Sequence, residues 1–501
     1  MMVGIGRAWR LAAAGTVAAW VVVGTAPIGA DTYPRQPGID VEHYVFRLDF
    51  RDDQPDIAGE ASIRVRFTQP NVVSLWFDLT SLSDGKGMTV SAVSASTGAV
   101  AHAHAENRLS LTLPAPPAAG ERREFTVRYK GVPSGGLRIM PNKYKEWSAF
   151  SENWPNHARD WLPMVDHPYD KATSEFLIVA PSKYQVVANG LLQQEVDLGD
   201  GRRMTHWRQS VPIASWLNAV GIEQFAVHYA GRVRGIELSS WVAHQDAANG
   251  PLYFEEPARR ALDFFSEFVG PYAYEKLANV AAAGLNGGTE HASAIFYGEN
   301  GVRNTPATNL VAHEIAHQWF GNAVTERDWD DVWLSEGFAT YFTHLYVEHY
   351  HGRDAMVAGL RRDIATVLNA ERSTPDTPVI HRNLSDMRRV LNRFVYQKGG
   401  WVLHMIRSQI GLDAFREGIR TYYREFMNVN ASTSDLRQHL EAASGQDLGW
   451  LFTQWLTRPG VPKIDGTWRY DADAKQLSIT LTQTAPAGGP FRLPLEIGIV
   501  A

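Results

Sequence analysis

The chain has 501 residues, 45% of them hydrophobic, with 48 Lys and Arg against 54 Asp and Glu for a formal charge of −6. This length and composition exclude a disordered chain and leave room for roughly two to four cores. No basic block marks a nucleic-acid partner, and with no cysteine in the sequence thiol catalysis, thiolate ligands and disulfides are excluded.

The first thirty residues read as a signal peptide. Arg7 and Arg10 precede an apolar run from Leu11 to Val23, and Pro27 and Ala30 lead to a polar chain opening at Asp31. The run is shorter than the ~20 residues a spanning helix needs, so no stable membrane span is expected in a mature chain of 31–501, the alternative being an uncleaved N-terminal anchor. The expected destination is a periplasm or the medium.

From about 40 to 230 short alternating segments separated by Pro and Gly predict strands, as in VEHYVFRLDF, ASIRVRF and EFTVRY. From about 235 the spacing changes to three and four. PARRALDFFSEFVG, TPATNLVAHEIAHQWFGN, YFTHLYVEHYHG, VYQKGGWVLHMIRSQIG and SDLRQHLEAASG read as helices, several closed by glycine. Alternation returns after TRPGVPKI. The expected organisation is a signal peptide (1–30), a β domain (31–232), a mainly helical domain (233–460) and a short β segment (461–501), a multidomain α+β fold.

The chemistry concentrates in HEIAHQWFGNAVTERDWDDVWLSEGFATYF, from His313. Thr305-Pro306 is a good helix start and Gly321 a stop. A separation of four residues is about 400° of rotation, so His313 and His317 share a face and can reach one zinc ion. Glu314, about 100° further round, suits a general base acting on water at that metal. A catalytic zinc takes three protein ligands and keeps one position open. Glu336, near the start of the next predicted helix, is the candidate third ligand.

These residues resemble the zinc aminopeptidases of the aminopeptidase N and leukotriene A4 hydrolase family, whose pattern is H-E-x-x-H, eighteen residues, then E, flanked by Q-W-F-G-N and W-L-N-E-G-F-A. Ser335 stands where asparagine is frequent. The resemblance covers most of the chain. It implies a saddle-like β-rich N-terminal domain, a thermolysin-like catalytic domain, one Zn2+ per chain and peptide substrates.

LNGGTEHASAIFYGEN resembles the family's G-A-M-E-N exopeptidase motif and its continuation. The resemblance gives Gly287 and Gly288 the role of lining the substrate backbone, and Glu290 that of binding the free α-amino group. RFVYQKGGWVLHMI resembles Y-E-K-G-x-x-V-L, which makes Tyr396 the hydroxyl donor to the oxyanion.

Departures fall around the amine. Thr289 and His291 replace the motif's Met and Asn. In SENWPNHARDWLPMVDHP, similar to Q-x-E-P-T-D-A-R-R-W-F-P-C-x-D-E-P, Trp154 takes the position of a second acidic group. An indole only donates, so Glu152 is the candidate substitute and Trp154 a candidate pocket wall. The large C-terminal helical domain of many relatives has no counterpart in this sequence.

His102 and His104 share one side of a strand without a third ligand, as a solvated edge does. Asp330 and Asp331 suit either orienting a ligand histidine or capping the next helix. Arg388 and Arg389 read as a solvated face. The implied activity is zinc-dependent aminopeptidase hydrolysis. A zinc endopeptidase or leukotriene hydrolase-like dual enzyme is one alternative, and a non-catalytic scaffold of the same fold another. Oligomeric state is not encoded legibly.

Overall fold

The computed structural model describes residues 31–484, 489–495 and 497–498. The expected signal peptide lies outside these residues.

The N-terminal part is built from β-sheets. An eight-stranded sheet centres on Ile39–Asp49, which pairs antiparallel with Ile57–Phe67 and parallel with Ala172–Pro181. A bulge between Val41 and His43 breaks the simple alternation, so that Val41 faces inward together with Tyr44, Phe46 and Leu48. A four-stranded sheet orders Gln185–Ala188, Val220–Glu223, Trp147–Glu152 and Gly136–Pro141. A three-stranded sheet ends on Ala101–Ala105, where His102 and His104 contact the Val100 and Leu79 carbonyls at 3.2 and 2.9 Å, an edge rather than a metal site.

The second part opens with a sheet that the periodicity does not mark. Phe225–Val233, Ile236–Ala243, Lys276–Ala282, Ala294–Gly298 and Gly288–Thr289 form five strands. The boundary expected at 232/233 therefore falls inside the hairpin joining Phe225–Val233 to Ile236–Ala243. All seven residues of Lys276–Ala282 are buried. Ala278, Val280 and Ala282 face the N-terminal core, while Leu277 and Ala281 face the helical one. A strand covered on both faces has no polar face to alternate with.

Helices α1 (Asn249–Phe268), α2 (Thr308–His317), α3 (Trp333–His351), α4 (Arg353–Ser373), α5 (Gly399–Ile410), α6 (Leu412–Phe426) and α7 (Thr433–Ser444) complete this part. Helix α2 starts later than expected. Thr305-Pro306 lies in the preceding loop, held where the Ala307 N–H bonds the Tyr253 carbonyl. The chain turns at Gly321 with φ of 105°, in line with the predicted stop. Helices α4 and α6 go beyond those the spacing marks: α4 buries only Met356, Gly359, Leu360 and Val367, too thin an apolar stripe to stand out. No described helix is long and apolar enough to cross a membrane.

The last strands, Lys463–Asp471 and Gln476–Thr484, form a two-stranded hairpin. Ile464, Trp468, Tyr470, Ile479 and Leu481 line one of its faces and are exposed.

Candidate functional site

Helix α2 carries His313 and His317 one turn apart, and α3 crosses it carrying Glu336 in its first turn. The three ligand atoms converge. His313 Nε2 and His317 Nε2 are 3.3 Å apart, and Glu336 Oε2 lies 3.3 Å from His317 Nε2 and 3.6 Å from His313 Nε2. Donors at about 2.1 Å around a tetrahedral ion stand about 3.4 Å from each other, so the spacing fits one zinc. Glu336 Oε2 is buried and has no hydrogen-bond partner among the described residues. The His317 tautomer fits as well. Its Nδ1 lies 3.2 Å from the Phe320 carbonyl and 3.0 Å from Ser335 Oγ. A proton on Nδ1 for that carbonyl leaves Nε2 with its lone pair toward the other two donors.

Glu314 and Glu290 complete a second convergence, with Glu290, Glu314 and His317 donor atoms all within 4.8 Å of one another. Both carboxyl groups are buried. Burial, with Glu336 adding to it against His317, pushes Glu290 up to about 7. Burial likewise drives Glu314 well above the usual carboxylate range, with Glu290 and Glu336 adding to it and His317 opposing. Burial disfavours the charged His317 ring, but Glu290, Glu336 and Glu314 outweigh it and raise the ring to about 10. Burial opposes ionisation of Glu336, and the two histidines overcome this and hold it at about 2. Three carboxyl groups packed against two imidazoles thus compete for protons, and they form a donor set that suits a dication.

The glycines before Glu290 divide their work. Gly287 takes a φ of 81° at the turn into the edge strand. Gly288 lies against Glu314, where a Cβ would collide with the carboxyl group. Its lack of a side chain therefore serves the general-base candidate directly.

Two residues of the HQWFGN string, not singled out by the sequence, pin the segment that carries Glu290. Gln318 Nε2 and Asn322 Nδ2 donate to the Glu290 carbonyl at 3.0 and 2.6 Å. Gln318 Oε1 accepts from Ser293 N–H at 2.9 Å. Ser335 acts elsewhere, on His317 Nδ1, and its sequence signal is the departure from asparagine.

Tyr396 sits in a π-helical turn, Phe394–Lys398, directly before α5. Its ring stacks on His313 with centroids 6.3 Å apart and an interplanar angle of 18°. Burial first, and the Glu336 carboxylate second, hold the phenol well above its ordinary value, so it stays a neutral donor.

The departures are also placed. His291 is fully buried, and burial depresses it to about 4, leaving a neutral ring against the edge of Phe296. Trp154 packs edge-on against Trp216 and Trp329, with centroids 4.4 and 5.0 Å away. Glu152 is mostly buried, lies 3.7 Å from Arg138, and adds to the raising of Glu290.

Asp330 and Asp331 orient neither histidine. Asp330 accepts from the N–H groups of Asn383 and Leu384, and Asp331 from Thr433. Their turn, Trp329–Asp331, leads straight into α3.

Residues 40–217 match the peptidase M1 N-terminal domain and residues 254–455 the peptidase family M1 domain. An M1 zinc metallopeptidase of known structure from Deinococcus radiodurans is 25% identical, with a TM-score of 0.74 over 87% of this chain and 96% of that one. Yeast LTA4 hydrolase shares the fold at 18% identity, with a TM-score of 0.75 over 85% of this chain and 68% of that one. Among curated proteins, glutamyl aminopeptidase of Rattus norvegicus is 27% identical over 70% of this chain, and probable aminopeptidase 1 of Saccharolobus solfataricus 26% over 68%. The matches span 39% and 46% of those two relatives, less than half their length.

Proposed function

The chain belongs to peptidase family M1, and from that premise we propose that it is a zinc aminopeptidase, removing the first residue of peptides. One observation carries this reading: the buried Glu290 carboxyl stands within 4.8 Å of Glu314 and His317, beside the three ligand atoms. A carboxylate at that range holds the substrate's ammonium one residue from the bond that breaks, and a chain interior has no ammonium to offer.

Zinc held by His313, His317 and Glu336 supplies a Lewis acid for the scissile carbonyl and for water. Glu314 takes a proton from the attacking water and returns it to the leaving amine. Its place one residue on from His313, about 100° round the helix, lets its carboxyl reach a water at the metal. Tyr396 O–H donates to the developing oxyanion. Glu152 supplies the second carboxylate near the amine that Trp154 cannot, and Trp154 with Trp216 and Trp329 forms an apolar wall beside it.

Glu314→Gln leaves all three ligands in place, so zinc stays bound while turnover of aminoacyl amides falls by about 10²–10⁴-fold. Near-parental turnover in that variant rejects the mechanism. Equal rates on free and N-acetylated substrates reject the aminopeptidase reading in favour of an endopeptidase.

On the basic start and short apolar run of residues 1–30 we also place the enzyme outside the cytoplasm, in a periplasm or the medium, with Asp31 as its first mature residue. Amino-terminal sequencing of the exported chain reads this directly, and a start elsewhere overturns it.

A further inference from the structure

We propose that Asp31, far from the metal ligands in sequence, is a positioning residue for the metal centre, acting through the turn that delivers Glu336. The inference rests on the zinc site but not on the substrate class.

Asp31 is buried. Its Oδ2 accepts from the Trp329 N–H at 2.8 Å and from His167 Nε2 at 2.7 Å. Its Oδ1 accepts from the Tyr33 N–H at 3.0 Å. The histidine is fixed for this role, because the Tyr169 N–H donates to His167 Nδ1 at 3.2 Å and so leaves the ring proton on Nε2.

Trp329 opens the short 3-10 turn Trp329–Asp331, and the residue before it, Asp328, makes no side-chain cap. An N–H at the start of a helical turn needs an acceptor, and here the acceptor comes from Asp31. The neighbouring residues tighten the same seat. The Thr32 N–H and hydroxyl both donate to the Leu384 carbonyl, at 3.1 and 3.2 Å. Leu384 N–H in turn donates to Asp330 at 3.0 Å. Arg35 pairs with Asp328.

The turn has two outputs. Forward, it runs through Val332 into α3, whose first turn holds Glu336. Sideways, the Trp329 ring supports Trp154, the proposed wall beside the substrate amine. Losing the Asp31 carboxylate leaves the turn's first N–H unpaired in a buried place, a cost the turn relieves by shifting. Glu336 and Trp154 then move with it.

The test is zinc affinity by chelator competition on the mature 31–501 chain carrying Asp31→Ala or Asp31→Asn, alongside kcat, KM and melting temperature. Asp31→Ala binds zinc about tenfold more weakly, the lower end of losses for partners outside the ligand shell, and raises KM. Asp31→Asn keeps an oxygen for the Trp329 N–H, folds, and falls between Asp31→Ala and the parent. If Asp31→Ala does not fold, Asp31→Asn decides by the same measurement. Leu75→Ala, in the N-terminal core, controls for general destabilisation by lowering the melting temperature with zinc affinity intact. Parental zinc affinity and KM in the Asp31 variants, with only the melting temperature lowered, would overturn the proposal and reduce Asp31 to an anchor. Because the readout is metal affinity, it stands whichever peptide end the enzyme attacks.

Discussion

Ser335 shows how one side chain tunes a metal ligand without touching the metal. Its hydroxyl meets His317 Nδ1 because Gly321, at φ of 105°, leaves the space empty: a Cβ there would collide with Ser335 Oγ. The hydroxyl and the Phe320 carbonyl together set which ring nitrogen carries the proton. In Ser335→Ala the carbonyl remains but the ring loses half its hold. Zinc affinity should fall by about tenfold, with turnover at saturating zinc nearly kept. Chelator competition measures this, and an unchanged affinity would show that Phe320 suffices.

At the scale of elements, what the sequence discloses depends on how far apart the cooperating residues lie. The relation of His313, Glu314 and His317 is set by helical geometry alone, so it was legible before any contact was known. Glu336 joins them only through the crossing of α2 and α3, which no local pattern encodes. The contacts that hold Glu290 were not legible, because Gln318 and Asn322 reach a backbone carbonyl, and a carbonyl carries no sequence signature. The placing of Tyr396 depends on small residues. A Cβ on Gly337 of α3 would lie 3.0 Å from the Gly399 backbone and 3.2 Å from the Val395 carbonyl, so α3 meets the π-helical turn and the start of α5 main chain to main chain. The central sheet escaped notice because Lys276–Ala282 is buried on both faces and offers no alternation to read. Asp330 and Asp331 were ambiguous for a related reason: an aspartate beside a helix start has several uses, and only tertiary contacts choose among them.

At the scale of the molecule, Glu223 ties stability to pH where the two parts meet. Burial first, then Glu299, Glu146 and Asp246 against the Asn142 amide, push it up to about 8 from an ordinary 4.5. The folded chain therefore holds this proton more tightly than the unfolded one. The resulting stability is complete below the unfolded value and is lost as pH rises through about 8. Glu223→Gln still offers Asn142 an acceptor and has nothing to ionise. Near pH 9 the variant should melt about 2 °C or more above the parent, and near pH 4, below the unfolded value, the two should coincide. An equal difference at both pH values would assign the effect to packing instead.

The double burial of Lys276–Ala282 bears on selectivity as well. The strand is gripped by a core on each side, and the segment leaving it carries Glu290. After an exposed turn at Asn286 and Gly287, Gln318 and Asn322, just beyond the helix that bears both histidines, hold the Glu290 carbonyl, so on the proposed function the interval from ammonium anchor to metal is fixed by that buried lacing. It works as a gauge block, a fixed length against which a peptide's end is measured. On the proposed function, a stiff gauge would count off one residue whatever the peptide's later sequence.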